Sequence, residues 1–102
     1  MTIARQPRAV TFTAVNEGLA LPYTMQITGI TFRGTGLTAA QRLTVRDGAT
    51  VASGSILADY AIEAATDNAD LWAGRSPQNV TGLSIDNNTI DGTWLLTVFI
   101  RD

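Results

Sequence analysis

The stretch Tyr23-Thr24-Met25-Gln26-Ile27-Thr28-Gly29-Ile30-Thr31-Phe32-Arg33 decides the fold. Its large apolar residues occupy odd positions as far as Ile27 and even positions from Ile30 onward, with Gly29 between them. Alternation indicates a half-buried strand, and a one-residue change of phase at a glycine indicates a β-bulge. The stretch therefore predicts one long, bent strand. The residues that it should bury together are Met25, Ile27, Ile30 and Phe32.

Similar patterns predict strands on either side of this stretch. Val10–Val15 alternates in this way, and Val80, Leu83 and Ile85 indicate another short strand that is broken by Gly82. Trp94–Ile100 is apolar at both parities, which is typical of a strand covered on both faces. Asp47-Gly48 stands between two alternating segments and predicts a hairpin with a two-residue type I′ turn.

The middle segment, Ser53 to Gly74, leaves two interpretations open. Apolar residues on successive even positions from Ile56 to Ala64 favour a strand, whereas the alanine content favours a helix. Thr66–Asp70 is polar and is predicted to be a loop. The apolar pair after it, Leu71 and Trp72, is predicted to tuck that loop onto the core or onto an interface.

The turn signals between these segments predict an all-β fold. Seven or eight short strands with no confident helix fit an antiparallel β-sandwich of jelly-roll or Greek-key topology. We expect a short N-terminal arm over residues 1–9 and a single sandwich domain over residues 10–102. The first eight residues hold no apolar core of a signal sequence, so we expect no targeting or membrane segment.

The composition argues against catalysis and bound cofactors. The chain has no His, Cys or Lys, so it lacks the usual general base, thiolate nucleophile and Schiff-base amine. Asp67, Asp70, Asp86 and Asp91 remain, but each lies in a turn-like segment where Asp is common. Asp86–Gly92 is rich in oxygen ligands, yet it lacks the spacing and closing Glu of a calcium loop. We therefore predict no enzyme activity, no metal, no cofactor and no small-molecule substrate.

Charge and hydrophobicity point instead to protein contacts. Only 16% of residues are charged, against about 25% in typical domains, while 45% are apolar. The first 46 residues hold five arginines and one glutamate, and the remainder is acidic. This division suits contacts between copies or with an acidic partner, although chance segregation in a short chain is the simpler explanation. Two arginines in the arm without an aromatic platform argue against nucleic acid. The candidate interaction residues are Arg5, Arg8, Arg42, Arg46, Leu71 and Trp72.

The order of four segments resembles a known group of proteins. These segments are Ile27–Phe32, Leu43–Gly48, Asn79–Ile85 and Gly92–Ile100, and the similarity covers about residues 25 to 100. They are similar to small virion proteins of tailed bacteriophages, among them capsid decoration (cement) proteins. The resemblance implies a subunit, often trimeric, that binds the major capsid protein on the capsid exterior after assembly in the host cytoplasm. Ser53–Gly74 departs from the pattern.

Two other functions remain open. One is a carbohydrate- or receptor-binding sandwich that uses Trp72, Tyr60 or Trp94 as a stacking platform. Exposed aromatic rings beside Asp and Asn would favour it, and buried rings would remove it. The other is a tail or neck component of the same kind of particle.

Overall fold

The computed structural model describes residues 8–86 and 88–102, and within them the protein is entirely β. Every neighbouring pair of strands is antiparallel, and the strands form one sheet in the order β1-β7-β2-β6-β3-β4, with β5 beside β2. The predicted all-β antiparallel class is confirmed. The strands are β1 Arg8–Phe12, β2 Glu17–Thr35, β3 Arg42–Asp47, β4 Ser55–Ala61, β5 Asp67–Asp70, β6 Gln78–Ile85 and β7 Thr93–Arg101. None of the described residues lies in a helix that is long and apolar enough to cross a membrane.

Strand β2 organises the sheet because it pairs with three other strands. Its 19 residues pair with β6 in the first half, with β7 in the second half, and with β5 near the end. The ladder to β7 skips Thr28, which is the β-bulge predicted beside Gly29. Because of the bulge, the apolar side chains before and after Gly29 point to the same side of the sheet, as predicted. Met25, Ile27, Ile30 and Phe32 are at most 2% exposed.

A second interruption of β2 lies nearer its N-terminus. Ala20 pairs with Gly82 and Met25 with Val80, so four residues of β2 face a single residue of β6. Pro22 lies in this interruption, where the backbone N–H that it lacks is not needed for the ladder. Strand β2 therefore begins at Glu17, six residues before the predicted start.

The core lies on the inner side of a curled sheet. The Phe32 ring of β2 packs against Trp94 of β7 at a centroid distance of 6.0 Å and against Tyr60 of β4 at 5.9 Å. Strand β4 stands at one end of the strand order, so its contact with β2 shows that the sheet curls back on itself. The sandwich, jelly-roll and Greek-key topologies stay predictions, because hydrogen-bonded ladders join all seven strands into one sheet.

The predicted type I′ turn at Asp47-Gly48 is wrong. Strands β3 and β4 do form an antiparallel pair, but residues 48–54 connect them. The Asp47 carboxylate accepts the N–H of Thr81 at 3.0 Å, and the N–H of Gly48 donates to the carbonyl of Gly82 at 3.1 Å. Contacts with β6 therefore replace the short-range turn.

Two glycines make room for the 48–54 loop. A Cβ on Gly18 would lie 1.8 Å from the carbonyl oxygen of Ala49, and one on Gly82 would lie 2.7 Å from its nitrogen. Both distances are far inside van der Waals contact, so only glycine fits at either position. The loop backbone thus lies directly on the backbones of β2 and β6.

The segment 53–74 contains two strands, and two details of its prediction are wrong. The ladder slips between Val45 and Arg46 of β3, so Leu57 is an extra residue in β4. As a result Leu57 and Ala58 are both buried, while Ile56 is 52% exposed. Strand β5 occupies Asp67–Asp70, where a loop was predicted. Asp67 is buried there because its carboxylate accepts the Tyr60 hydroxyl and the Glu63 N–H, so polarity did not prevent a strand.

We expect Gly82→Ala to destabilise the protein by about 2 kcal/mol or more, because the added methyl group meets the backbone of the 48–54 loop on a buried strand. Urea denaturation measures the change. Gly74→Ala is the control: its φ is +72°, but nothing lies within 4 Å of the added Cβ, so it carries the backbone strain alone. An equal decrease in the free energy of unfolding of the two variants would show that close packing of the loop on Gly82 does not contribute to stability.

Candidate interaction surfaces

The N-terminal candidates separate into two groups. Arg5 lies outside the described residues. Arg8 and Ala9, assigned to the arm in the sequence analysis, belong to β1, which begins two residues before the predicted strand. The Arg8 guanidinium donates to the Tyr23 hydroxyl of β2 at 3.0 Å. Arg8 is thus a strand residue whose side chain links β1 to β2.

Arg42 and Arg46 both bind carboxylates of their own chain. Arg42 donates through two nitrogens to the two carboxylate oxygens of Asp59, the shorter contact being 2.8 Å. The hydrogen bond from Arg42 lowers the pKa of the Asp59 carboxyl, and the same pair raises the pKa of Arg42. Arg46 binds Asp86 at 2.9 Å. The basic first half and the acidic second half of the sequence therefore meet inside one molecule.

The Arg46–Asp86 pair is the more buried of the two. The side chains of Arg46 and Asp86 are 23% and 15% exposed, against 56% and 38% for Arg42 and Asp59. Asp86 also accepts the N–H of Ala52, and Arg46 donates to the carbonyl of Gly54 at 2.9 Å. The pair thus fastens the 48–54 loop from its far end.

Leu71 and Trp72 pack onto the core of their own chain, one of the two predicted outcomes. Trp72 is 3% exposed within the core cluster, and Leu71 is half-buried against it. The Arg75 guanidinium lies 3.7 Å from the centroid of the Trp72 ring, a cation–π distance. No acceptor among the described residues binds the buried Trp72 indole N–H.

An apolar surface remains on β7, which was predicted to be covered on both faces. Trp94, Leu96, Val98 and Ile100 are buried on its inner side, as expected. Leu95 and Phe99 point the other way and are each 40% exposed. Within the described part of the chain nothing covers this second side, so the prediction of two covered faces is wrong for the single chain.

We call this surface the outer face: Leu95, Thr97 and Phe99 of β7, with Thr11 of β1 and Arg33 of β2. The registers place Thr97 beside both Thr11 and Thr31, Leu95 beside Arg33, and Phe99 beside Gly29. A Cβ on Gly29 would lie 3.3 Å from the Phe99 ring, so the ring extends over the glycine. The outer face is thus an apolar strip interrupted by a row of threonines.

A groove runs along the open edge of β4, and we call it the edge groove. It has a volume of about 360 Å³ and is lined by residues 56–60 of β4, Leu71 and Arg75. Strand β4 ends the strand order, and no described strand pairs with its outer edge. Arg75 reaches across to donate to the main-chain carbonyl of Leu57.

Two further acidic side chains, Asp91 and Asp70, accept hydrogen bonds from nearby residues. Asp91 accepts the N–H of Thr38 at 2.9 Å and also its hydroxyl, and Asp70 accepts the N–H of Trp72 at 3.0 Å. Among the residues that the structure describes, no three acidic side chains come together as a group that could hold a metal ion.

Comparison with known proteins gave no match to a family model, to a curated protein or to a solved structure.

Loss of the arginine from the half-buried ion pair should destabilise the protein more than loss of the arginine from the exposed pair. We expect Arg46→Ala to lower the free energy of unfolding by about 2 kcal/mol, because Asp86 then stays partly buried without its cation. Arg42→Ala is the matched control, and its effect should be clearly smaller because both partners are well exposed. Urea denaturation at neutral pH compares them, and a larger loss from Arg42→Ala would contradict this ranking.

The Tyr60 hydroxyl supplies a test at high pH. Burial raises the pKa of Tyr60 above its usual range, and the 2.6 Å hydrogen bond to Asp67 raises it further. In the unfolded chain the pKa of a tyrosine is about 10. Above about pH 10 the unfolded chain therefore loses this proton while the folded protein keeps it, and the stabilisation that is complete at lower pH is progressively lost. We expect unfolding free energy to fall above about pH 10 in the wild type and less steeply in Tyr60→Phe. If the free energy of unfolding falls equally steeply with pH in the two proteins, the pKa of Tyr60 does not differ between the folded and unfolded states.

Proposed function

We propose that this protein is a non-catalytic virion subunit, a capsid decoration protein that docks through the outer face. The observation that carries the proposal is the exposure of Leu95 and Phe99 on one side of an internal strand whose other side is core. A contiguous exposed apolar patch is a mark of a protein contact. The resemblance to phage decoration proteins supplies the kind of partner, the outer surface of an assembled capsid.

The charge around the outer face defines the surface that it would contact. Arg33 lies beside Leu95, and no carboxylate in the described residues forms an ion pair with it. Arg101 lies at the opposite end of β7 and donates to the Gln26 side chain. An apolar strip with an arginine at each end fits a partner surface that is apolar at its centre and acidic at its margins.

The size of the outer face favours attachment as an oligomer. Three strands about 4.8 Å apart, over the five residues from Leu95 to Phe99, give a face of roughly 250 Å². A standard protein interface buries about 800 Å² on each partner, so one such contact is expected to be weak. Several copies that bind a repeating lattice together gain affinity without new contacts. We therefore propose a homo-oligomer, and the resemblance to decoration proteins favours a trimer.

The alternative functions receive less support from the geometry. Trp72 and Trp94 are 3% and 6% exposed, and Tyr60 is half-buried with its hydroxyl bonded to Asp67. The two tryptophan rings therefore offer no open face on which a sugar could stack, and the polar end of Tyr60 is already occupied. A tail or neck component would use the same outer face, and only its place in the particle distinguishes it from a capsid subunit.

The test is cosedimentation with capsids that lack this protein, prepared from the virus that encodes it. We expect Leu95→Ser combined with Phe99→Ser to weaken capsid binding about tenfold or more, because apolar anchors at the centre of a contact carry most of its energy. Both side chains are only 40% exposed, so some stability is lost as well, and urea denaturation establishes that the double variant is folded under the binding conditions.

Leu19→Ser is the matched control. Leu19 is 39% exposed and lies on the first half of β2, away from β7. Its substitution removes a similar exposed apolar group and should leave capsid binding unchanged. If the double variant saturates capsids like the wild type, or if the wild type itself does not bind them, the proposed function is wrong.

A further inference from the structure

The edge groove separates two segments that are adjacent but are not joined as strands. Strand β4 forms one side, and the segment from β5 to Arg75 forms the other. Side chains bridge them at two places: the Tyr60 hydroxyl binds Asp67 at 2.6 Å, and Arg75 donates to the carbonyl of Leu57. No ladder of main-chain hydrogen bonds connects them in the described residues.

The open edge of β4 therefore presents main-chain groups beside apolar side chains. Ile56 is 52% exposed at one end of the groove, and Leu71 is half-buried across from β4. The N–H of Leu71 donates to the Ile30 carbonyl at 2.8 Å, which fixes that side of the groove to β2. An unpaired strand edge that lies beside fixed apolar side chains is a template for an added strand.

The charge in the groove comes from Arg75. Its guanidinium stacks on Trp72 and bonds to a neutral carbonyl, and no carboxylate of the described residues is ion-paired with it. Asp59 also lines the groove, but Arg42 neutralises it from β3 at 2.8 Å. Arg75 is thus the unpaired charge among the residues that line the groove, whereas Asp67 is buried behind Tyr60 and is not part of the lining. This favours a ligand that carries a carboxylate.

We propose that the edge groove binds an extended peptide segment of a partner protein, which adds to β4 as a strand and places an acidic side chain against Arg75. Its alternate apolar side chains would contact Ile56 and Leu71. The groove volume of about 360 Å³ lies at the lower end of the range for ligand sites and suits a short segment. This interaction goes beyond the proposed function, because the groove is formed by different residues from the outer face.

Arg75 has a second part in this interaction. In the free protein it occupies the Leu57 carbonyl, one of the acceptors that an added strand would use. A charged side chain placed on a strand edge protects it from unspecific pairing. A ligand carboxylate can hold the guanidinium in place of this carbonyl, which frees the edge for the incoming strand. Acidic segments are thereby favoured over neutral or basic ones.

The test uses two blocked hexapeptides, one alternating Val and Glu and the other alternating Val and Lys, titrated into the ¹⁵N-labelled full chain. We expect the Glu peptide to shift the amide resonances of residues 56–60 and to slow their hydrogen exchange. The Lys peptide should bind about tenfold more weakly or worse, as expected for loss of one charge-assisted hydrogen bond. Equal binding of the two peptides, or no shifts in β4 at millimolar peptide, would overturn the proposal.

Charge variants identify the residue responsible. Arg75→Glu should reverse the preference between the peptides, and Arg75→Gln, which disturbs the groove less, should abolish it. Arg33→Glu, on the outer face, is the matched control and should leave the preference unchanged. If either Arg75 variant retains the wild-type preference in a folded spectrum, Arg75 does not select the ligand and the proposal fails. If β4 exchange slows with protein concentration alone, a second copy occupies the groove and the proposal is equally wrong.

Discussion

The fold depends on one long strand that is bent at two places. Strand β2 pairs with β6, β7 and β5, and its ladders are interrupted after Ala20 and again at Thr28. The second interruption brings Met25 and Ile27 onto the same side as Ile30 and Phe32. Without it, one half of the strand would turn its apolar side chains to solvent. The curl of the sheet and the single core both follow from this strand.

Ion pairs within the chain add to the stability that the packed core provides. The two ion pairs join residues 17 and 40 positions apart in sequence, Arg42 to Asp59 and Arg46 to Asp86. Both arginines lie on β3 and could have been available to a neighbouring subunit. Because they are satisfied internally, the proposed contacts with partners use other arginines, Arg33 and Arg75. Charge segregation along a sequence therefore does not by itself indicate segregation on the folded surface.

The sequence predicted those features that local pattern determines. The bulge beside Gly29 was predictable because a change of phase coincides with a glycine, whereas the bulge at Leu57 has no glycine to mark it. The turn at Asp47-Gly48 was predicted wrongly because contacts of the loop with Gly18 and Gly82, far away in sequence, override short-range preferences. Strand β5 was missed because Asp67 is buried through hydrogen bonds from the Tyr60 hydroxyl and the Glu63 N–H, and these bonds exist only in the folded protein. The outer face was partly predictable: the pattern of β7 identified Leu95 and Phe99 as apolar, but not as uncovered.

The anchoring of the 48–54 loop has a consequence for protein engineering. Both ends of the loop are fixed, at Gly48 by β6 and at Gly54 by Arg46, while Thr50 and Ser53 near its tip are exposed. A foreign peptide inserted at the tip would start and finish on rigid supports, so its ends would be held close together and its conformational freedom reduced. The loop is therefore a suitable position for the display of an epitope. The rest of the protein holds the loop by its main-chain groups and not by its side chains, so the inserted sequence is free to vary.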